Sequence, residues 1–316
     1  MYDKIKLLIE RATMGGVTPQ QVVQYLNNVK EQIYTNTGNY QYTGYLNTLK
    51  VVISSKGVFI DGSLPRYHKG NNIYPLDRHT TQEAFERLQG DLHLNLNEAK
   101  IIGCEFGNTF VMKHPIPLYL ERLEAHPRLE RICYTPSTLY YTHVGIQKPK
   151  ELYFYDKAKE RKTNREPIPP LLSSANLLRY EIRYNNNFSK QTGIANITPA
   201  TLVSRGFYKQ MIETYKKQYY SITKTPQIKT EVMTEIKTQK DAFEVFFARL
   251  INHSGGREQI NEFVAELKRA KVFSDRSQYS HLKRKLEEVS SKAKVTETNE
   301  LIKELNDQIL NVGIYD

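Results

Sequence analysis

Tryptophan is absent from this chain of 316 residues, and cysteine occurs only twice, at Cys104 and Cys133. Two cysteines so far apart match neither a disulfide framework nor a cysteine-based zinc site, so we expect reduced thiols in a cytoplasmic protein. No stretch approaches the roughly 18 consecutive apolar residues that a membrane-spanning helix needs. The first residues, Met1-Tyr2-Asp3-Lys4-Ile5-Lys6, carry charge where a signal peptide has an apolar run. We therefore expect neither secretion nor a membrane partner.

Two short motifs that mark whole classes of enzyme are also missing. The chain has no histidine-hydrophobic-histidine pair, since His93-Leu94 is followed by Asn95. The metal-binding signature of many DNA-nicking enzymes is therefore absent. The chain also lacks G-x-x-x-x-G-K-[ST], the loop that cradles nucleotide phosphates, which argues against a built-in ATP-driven helicase.

Positive charge and tyrosine are abundant. The chain has 45 Lys and Arg against 34 Asp and Glu, a net charge of +11, and 22 tyrosines. Such an excess favours a polyanionic partner, because each neutralised phosphate releases counterions, and tyrosine rings stack on bases. Charge by itself is equally compatible with a merely basic protein, and most of the tyrosines must be structural.

Alternating apolar and polar residues indicate β-strands along the first two thirds of the chain. The predicted strands are residues 5–9, 49–53, 58–60, 100–112, 131–134, 138–143, 153–155 and 178–182. Thr18-Pro19 and Thr198-Pro199 have the N-cap and first-turn residues of helices. The first helix is expected to carry an apolar stripe as far as Val29, and the second is expected to be long. Shorter helices are predicted at about 80–89 and 118–123, and loops at Gly62–Asn72 and 161–175.

Beyond about residue 222 the apolar residues recur with helical spacing, as in Phe243, Phe246, Phe247 and Leu250. We therefore predict an α+β fold, with a mainly antiparallel sheet and flanking helices, over residues 1–220. A small all-helical domain is predicted over residues 221–316.

Two carboxylates lie within predicted strands, Glu105 among Ile101–Asn108 and Glu181 among Leu178–Ile182. Burying an unpaired carboxylate costs several kcal/mol, so each needs a partner. If both face one cleft, their oxygens suit a hard cation such as Mg²⁺ or Mn²⁺. The alternative for each is a structural salt bridge, since Arg179 and Arg183 flank Glu181 on its face of the strand.

Tyr155 lies in a predicted strand that is followed by a run of basic residues. Its phenol could act as a nucleophile, with a base or metal helping to remove the proton. Lys157, Lys159 and Arg161 would then hold phosphate oxygens. Tyr153 shares the strand face of Tyr155, and Tyr140-Tyr141 compete on the same grounds, so composition alone leaves the reactive tyrosine open.

Four blocks of sequence together resemble the gene II/X family of phage and plasmid replication proteins, typified by filamentous-phage initiators, and more distantly the Rep-trans plasmid initiators. The blocks cover about residues 1–220, and the helical tail carries no such motif. They are Gly62–Asn72, Leu76-Asp77-Arg78-His79, Glu105–Phe110, and the pair Tyr153–Lys157 with Leu177–Arg183.

The resemblance implies a rolling-circle replication initiator that cleaves one strand of an origin through a tyrosine and a metal ion. In that scheme Tyr155 is the nucleophile, assisted by Lys157 and Lys159, and Glu105 and Glu181 hold Mg²⁺ or Mn²⁺. Glu105 departs from the aspartate usual in the family. Contacts with single-stranded or supercoiled origin DNA are expected from Arg66, His68, Lys69, Asn71, Arg78, Arg179 and Arg183.

Other interpretations stay open at this point. The chain could be a non-catalytic origin-binding or regulatory protein, a conjugative relaxase, or a structural or RNA-binding protein. The helical tail could bind origin DNA, recruit a host helicase alongside the polymerase, or form a homodimer through Leu282/Leu286 and Leu301/Leu305. It could also be a self-contained cap on the first domain. The resemblance places the protein in the cytoplasm of a bacterial host.

Overall fold

Ten antiparallel strands form one sheet in the computed structural model of the chain. The structure describes residues 1–34, 39–145, 148–185, 188–228, 234, 236–254, 256–291 and 296–313. Two units are present, Met1–Thr223 together with Leu305–Asp316, and Lys224–Glu304. The first unit contains the whole sheet, so the α+β fold predicted from the sequence is confirmed.

The sheet follows the order β2-β3-β4-β5-β1-β6-β10-β9-β8-β7, so β1, β6, β10 and β9 are adjacent near its middle. The strands are β1 (Tyr2–Glu10), β2 (Asn27–Tyr34), β3 (Asn39–Leu46), β4 (Leu49–Ser54), β5 (Gly57–Ser63), β6 (Lys100–Met112), β7 (Glu130–Thr135), β8 (Thr138–Thr142), β9 (Lys150–Asp156) and β10 (Asn176–Tyr184).

Helices between β1 and the end of Met1–Thr223 flank the sheet in the described part of the chain. They are α1 (Pro19–Val23), α2 (Leu64–Lys69), α3 (Arg78–Leu92), α4 (Ile116–Leu120), α5 (Lys157–Thr163), α6 (Phe188–Thr192), α7 (Pro199–Val203) and α8 (Arg205–Tyr220). Two short 3₁₀ turns lie at Arg11–Thr13 and Pro170–Leu172.

One face of the central strands carries an aromatic core. Because successive side chains of a strand point to opposite faces, Phe106, Phe154 and Tyr180 share the face against which α8 packs. The rings of Tyr180 and Tyr215 lie 4.2 Å apart, and each hydroxyl donates a hydrogen bond to the other residue's backbone carbonyl. This core covers one side of β6, β9 and β10, which leaves the other side for polar residues.

Three local predictions were wrong, each for an identifiable reason. The segment Gly62–Asn72 is not a loop, because Ser63 ends β5 and caps α2, accepting a hydrogen bond from the Arg66 amide. The helix from Thr198 is not continuous, since Ser204 has an extended backbone (ψ 137°) and separates α7 from α8. The predicted loop 161–175 begins inside α5, whose N-cap is Asp156.

The prediction that the first helix and its apolar stripe extend as far as Val29 was also wrong. The helix ends at Val23, and Val29 lies in β2, which pairs with β3. Neither of these strands was predicted, since their alternation of Tyr, Thr and Gln is weakly apolar. Tertiary pairing with β4 decides their conformation.

The second unit has helices α9 (Gln239–His253), α10 (Arg257–Arg269) and α11 (Arg276–Ser291), and a short strand pair, β11 (Gln227–Ile228) with β12 (Thr296–Glu297). Its buried cluster is Ile260, Val264 and Tyr279, with Leu286 packed against it. The unit is therefore held together by its own small helical core.

A last helix, α12 (Glu300–Leu310), lies close to the end of the described residues. The residues from Leu305 belong to the first unit, where Leu305 is fully buried and Asn306 accepts a hydrogen bond from Tyr219 at 2.8 Å. The predicted domain 221–316 therefore differs from the structure at the end of the chain. Among the described residues, no helix has the length and apolar character needed to cross a membrane.

Candidate functional site

Three carboxylates meet on the polar face at the middle of the sheet. Asp3 comes from β1, Glu105 from β6 and Glu181 from β10, and their ligand oxygens lie within 4.8 Å of one another. The pairing of β1 with β6 and of β6 with β10 brings them together. Glu105 and Glu181 were predicted to share a cleft, whereas Asp3 was missed. Its one signal is a buried acid near the start of a strand in which apolar and charged residues alternate.

Arg179 occupies the centre of this carboxylate cluster. Its guanidinium donates to Glu181 Oε2 at 3.0 Å, Asp3 Oδ2 at 2.6 Å and Thr109 Oγ1 at 3.2 Å. Although burial by itself lowers the pKa of Arg179, the two carboxylates raise it above its usual value. The side chain is 0% exposed, so the predicted contact of Arg179 with DNA is wrong. It instead neutralises two buried acids.

Arg183 binds the cluster from its open side. It donates to Glu181 Oε1 through Nε at 2.8 Å and through its terminal nitrogen at 2.6 Å, and lies 3.5 Å from Glu105 Oε1. Its guanidinium also lies 3.7 Å above the ring of Tyr153. The side chain is 30% exposed, so Arg183, unlike Arg179, reaches solvent.

The carboxylates differ in protonation because their partners differ. Burial, then the charges of Glu181 and Asp3, raise the pKa of Glu105 to about 8, despite the opposing effect of Arg183. Burial alone would raise the pKa of Glu181 too, but Arg183 and Arg179 together lower it. At neutral pH Glu181 is therefore ionised, while Glu105 holds a proton much of the time.

Tyr155 is the strand tyrosine that touches this cluster. It lies opposite Arg179 in the register of β9 and β10, and its hydroxyl donates to Glu181 Oε2 at 3.3 Å. Burial, then the charge of Glu181, raise the pKa of the Tyr155 hydroxyl well above its usual value. The phenol is therefore protonated and would need added positive charge nearby to become a nucleophile.

The competing tyrosines have other environments. The ring of Tyr153 lies between Arg183 and the ring of Tyr140, which stacks on it at 5.1 Å. Tyr141 is fully buried and donates to the Glu124 carbonyl at 2.8 Å. Of the four tyrosines considered from sequence, Tyr155 is the one whose hydroxyl bonds to a carboxylate of the cluster.

The two predicted catalytic lysines lie in different surroundings. Lys157 opens α5 with its side chain 1% exposed, its ammonium 3.0 Å from Glu160 Oε2 and 5.8 Å from the centre of the Tyr155 ring. Because Lys157 is buried, its ammonium is not positioned to contact a DNA phosphate directly, contrary to the prediction. Lys159 is exposed and lines a cleft of about 400 Å³ together with Tyr153, Tyr155 and Arg183. Lys159 is therefore placed to meet a ligand beside Tyr155.

The other predicted DNA contacts are dispersed. Arg66, Lys69 and Asn71 line a separate cleft of about 460 Å³ with Arg161, although Arg66 is already paired with Glu166 at 2.6 Å. His68 lies 3.5 Å from Glu83. Arg78 lines a third cleft, next to Arg205. The structure thus brings three of these residues together and leaves His68 and Arg78 apart from them.

Gly107 makes room for Glu181 on the neighbouring strand. A Cβ at Gly107 would lie 2.5 Å from Glu181 Cβ and 2.5 Å from the Tyr180 carbonyl. The two strands can pair at this register only because no side chain is present. Glycine at this position therefore lets Glu181 enter the cluster.

The donor set fits a hard divalent cation. All the candidate ligand atoms are carboxylate oxygens, which Mg²⁺, Mn²⁺ and similar ions prefer. The raised pKa of Glu105 reflects its partial burial and the negative charges of Glu181 and Asp3, which a cation would offset. Glu181 already accepts hydrogen bonds at both oxygens, so a cation would have to share this residue with, or displace, the more exposed Arg183.

A family model for the N-terminal part of the phage replication-associated protein of gene II matches residues 1–202. The chain belongs to this family. Its match covers the sheet and the carboxylate cluster and ends within α7, so it confirms the resemblance to filamentous-phage initiators. No curated protein matches the chain. Membership of this replication family supports a role as a phage rolling-circle replication initiator and, in general terms, a DNA nicking-joining activity.

Proposed function

We propose that the chain nicks and rejoins one strand of origin DNA through a covalent link to Tyr155, in a reaction that depends on a divalent metal ion. The observation that carries this proposal is the hydrogen bond from Tyr155 to Glu181 within a cluster of three carboxylates. A phenol next to oxygen ligands for a cation is the arrangement that attack on a phosphodiester requires.

The reaction is a transesterification. The Tyr155 oxygen forms a bond to phosphorus and the bond to the 3′ oxygen breaks. The tyrosyl proton leaves to solvent or a carboxylate, and the departing 3′ oxygen takes up a proton from solvent. The products are a 5′-phosphotyrosine and a free 3′-hydroxyl, which primes a polymerase. Because one phosphodiester replaces another, the reverse attack by a 3′-hydroxyl restores the strand and frees Tyr155.

Each residue around Tyr155 has a role in this scheme. Glu181 orients the phenol through its hydrogen bond, and Arg179 keeps Glu181 ionised and in place. Lys159 and Arg183 line the cleft, where their charges can bind phosphate oxygens. Asp3, Glu105 and Glu181 would hold Mg²⁺ or Mn²⁺. A bound cation would supply positive charge that lowers the pKa of the phenol and offsets charge developing on phosphate.

The test is nicking of supercoiled DNA carrying the cognate origin, with Mg²⁺ or Mn²⁺ present. Tyr155→Phe should abolish both nicking and the protein–DNA adduct that survives denaturation. Tyr153→Phe is the matched control, since it removes a phenolic oxygen two residues away on the same strand and should still nick. Full activity of Tyr155→Phe, or loss of activity in Tyr153→Phe alone, would refute the assignment of the nucleophile.

The carboxylates are tested in the same assay. Glu181→Gln and Asp3→Asn should slow nicking on the order of 10²-fold or more and weaken its dependence on the cation. Glu105→Gln should act in the same direction. Undiminished nicking in EDTA would contradict the metal dependence.

One observation favours a second function, a non-catalytic origin-binding or regulatory protein. Arg179 and Arg183 already satisfy Glu181 at both oxygens, as in a purely structural ion-pair network. Such a protein would bind origin DNA with a strong salt dependence, require no Mg²⁺, and form no covalent adduct with any tyrosine.

A further inference from the structure

The cleft beside Tyr155 has an unused aromatic wall. Tyr134 lines it from the edge strand β7, with its side chain exposed at 74%. Among the described residues, no other ring stacks on Tyr134, whereas the ring of Tyr153 in the same cleft is covered by Arg183 and Tyr140. An exposed aromatic face at a cleft next to a candidate nucleophile is available to a planar ligand.

We propose that this cleft holds one unpaired nucleotide of single-stranded DNA next to the phosphate that Tyr155 attacks, with its base stacked on Tyr134. The inference rests on the proposed function for the position of that phosphate, and it adds the side chain, Tyr134, that receives the neighbouring base. The strand on one side of the cut must be single-stranded and must run toward the β7 edge of the sheet.

The size of the cleft supports a single nucleotide. Its volume of about 400 Å³ lies near the lower end of the usual range for small-molecule sites. A duplex is too wide for such a space, and each of its bases is already stacked on both neighbours. Only an unpaired base can present a face to an aromatic side chain.

The charges around the cleft fit a nucleotide as well. Lys159 is exposed and Arg183 partly so, and both line the cleft. The two acids on its wall are already engaged, since Asp156 caps α5 by accepting from the Lys159 amide and Glu160 pairs with Lys157. Lys159 is thus available to phosphate and the Tyr134 ring to the base, while Arg183 adds positive charge to the cleft from its ion pair with Glu181.

Binding can be measured apart from catalysis, in Tyr155→Phe protein with EDTA present. The probes are a fluorescent oligothymidylate of about 20 nucleotides, a strand of the same length and charge made of abasic residues, and a duplex of that length. The Tyr155→Phe protein should prefer oligothymidylate to both other probes.

Tyr134→Ala in this background should weaken binding of oligothymidylate about 5- to 150-fold, the range expected for one stacked base, and leave binding of the abasic strand unchanged. Tyr134→Phe should restore the loss, because it keeps the ring. Tyr45→Ala, which removes an exposed tyrosine on β3 at the other side of the sheet, is the control and should have no effect.

Two lysine substitutions on α5 form a matched pair that tests the role of the positive charge in the cleft. Lys159→Ala should weaken binding of both single strands equally and reduce the salt dependence of binding by about one phosphate contact. Lys162 is an exposed lysine of the same helix outside the cleft lining, so Lys162→Ala should change the affinity and its salt dependence less.

The inference is overturned if Tyr134→Ala binds oligothymidylate normally, if it loses abasic and base-bearing strands equally, or if the duplex binds as well as the single strand. These outcomes are separate from the proposed chemistry, because no cleavage is needed. If the protein stacks bases on Tyr134 but never nicks DNA, the assignment of the cleft stands and the proposed catalytic function is refuted.

Discussion

Replacing Arg179 by methionine tests whether the carboxylate cluster depends on one buried cation. In the native protein, the 0%-exposed guanidinium bonds to Asp3, Glu181 and Thr109. The substitution leaves two buried carboxylates with one fewer positive charge. Breaking a buried ion pair by removing one partner costs about 3–5 kcal/mol. For a unit of this size, that corresponds to a fall in Tm of roughly 6–20 °C.

The dependence on pH gives the sharper part of this prediction. Because the arginines lower the pKa of Glu181, their stabilisation is fully present above the usual glutamate pKa and is lost as pH falls through the lowered value. In Arg179→Met the pKa of Glu181 should rise, because one of the two cations that lower it is gone, so the folded variant takes up protons at a higher pH than the native protein does. The difference in stability between the two proteins should therefore shrink as pH falls toward about 4.

The assay is thermal and urea unfolding of both proteins in EDTA at several pH values, repeated with Mg²⁺. A cation that binds the carboxylates should stabilise Arg179→Met more than the native protein, because it replaces the lost charge. Arg161→Met is the control, since Arg161 is buried and paired with Glu166 outside the cluster. It should lower stability, and its response to Mg²⁺ should equal that of the native protein, because the cluster stays intact. A loss below about 1 kcal/mol, or one independent of pH, would refute the reasoning.

Three further predictions concern the same sheet. Gly107→Ala should destabilise the protein by about 1–3 kcal/mol in urea unfolding, since the new methyl group would overlap Glu181, and normal stability would contradict the close approach. The pKa of Glu105, raised to about 8 from 4.5, makes native stability in EDTA fall as pH rises through that window, because the folded state holds the extra proton. Glu105→Gln should abolish this decline, which unfolding at pH 5 and pH 9 would check. Lys69→Ala should reduce the slope of log K against log salt for DNA binding by about one contact, and an unchanged slope would remove Lys69 from the DNA surface.

The sequence predicted well where one local signal was strong. Alternating apolar residues identified β1, β6 and β10, and helical spacing identified α8 and the tail helices. Prediction from the sequence failed where the local signal extended over only a few residues. Ser63 and Pro65 together could have predicted the start of α2, but the surrounding glycines and asparagines favoured a loop.

The same contrast between local sequence signals and long-range structure applies to the candidate site. The sequence alone determined which chemical groups are available: a tyrosine strand, two strand carboxylates and a basic surface, because these depend on residue type and on the two-residue period of a strand. Only the tertiary structure decided which of them meet. Asp3 joins acids about a hundred and more positions away because β1 pairs with β6, and Arg179 is buried because Asp3 and Glu181 surround it. Strand order depends on long-range pairing, which a local pattern does not encode.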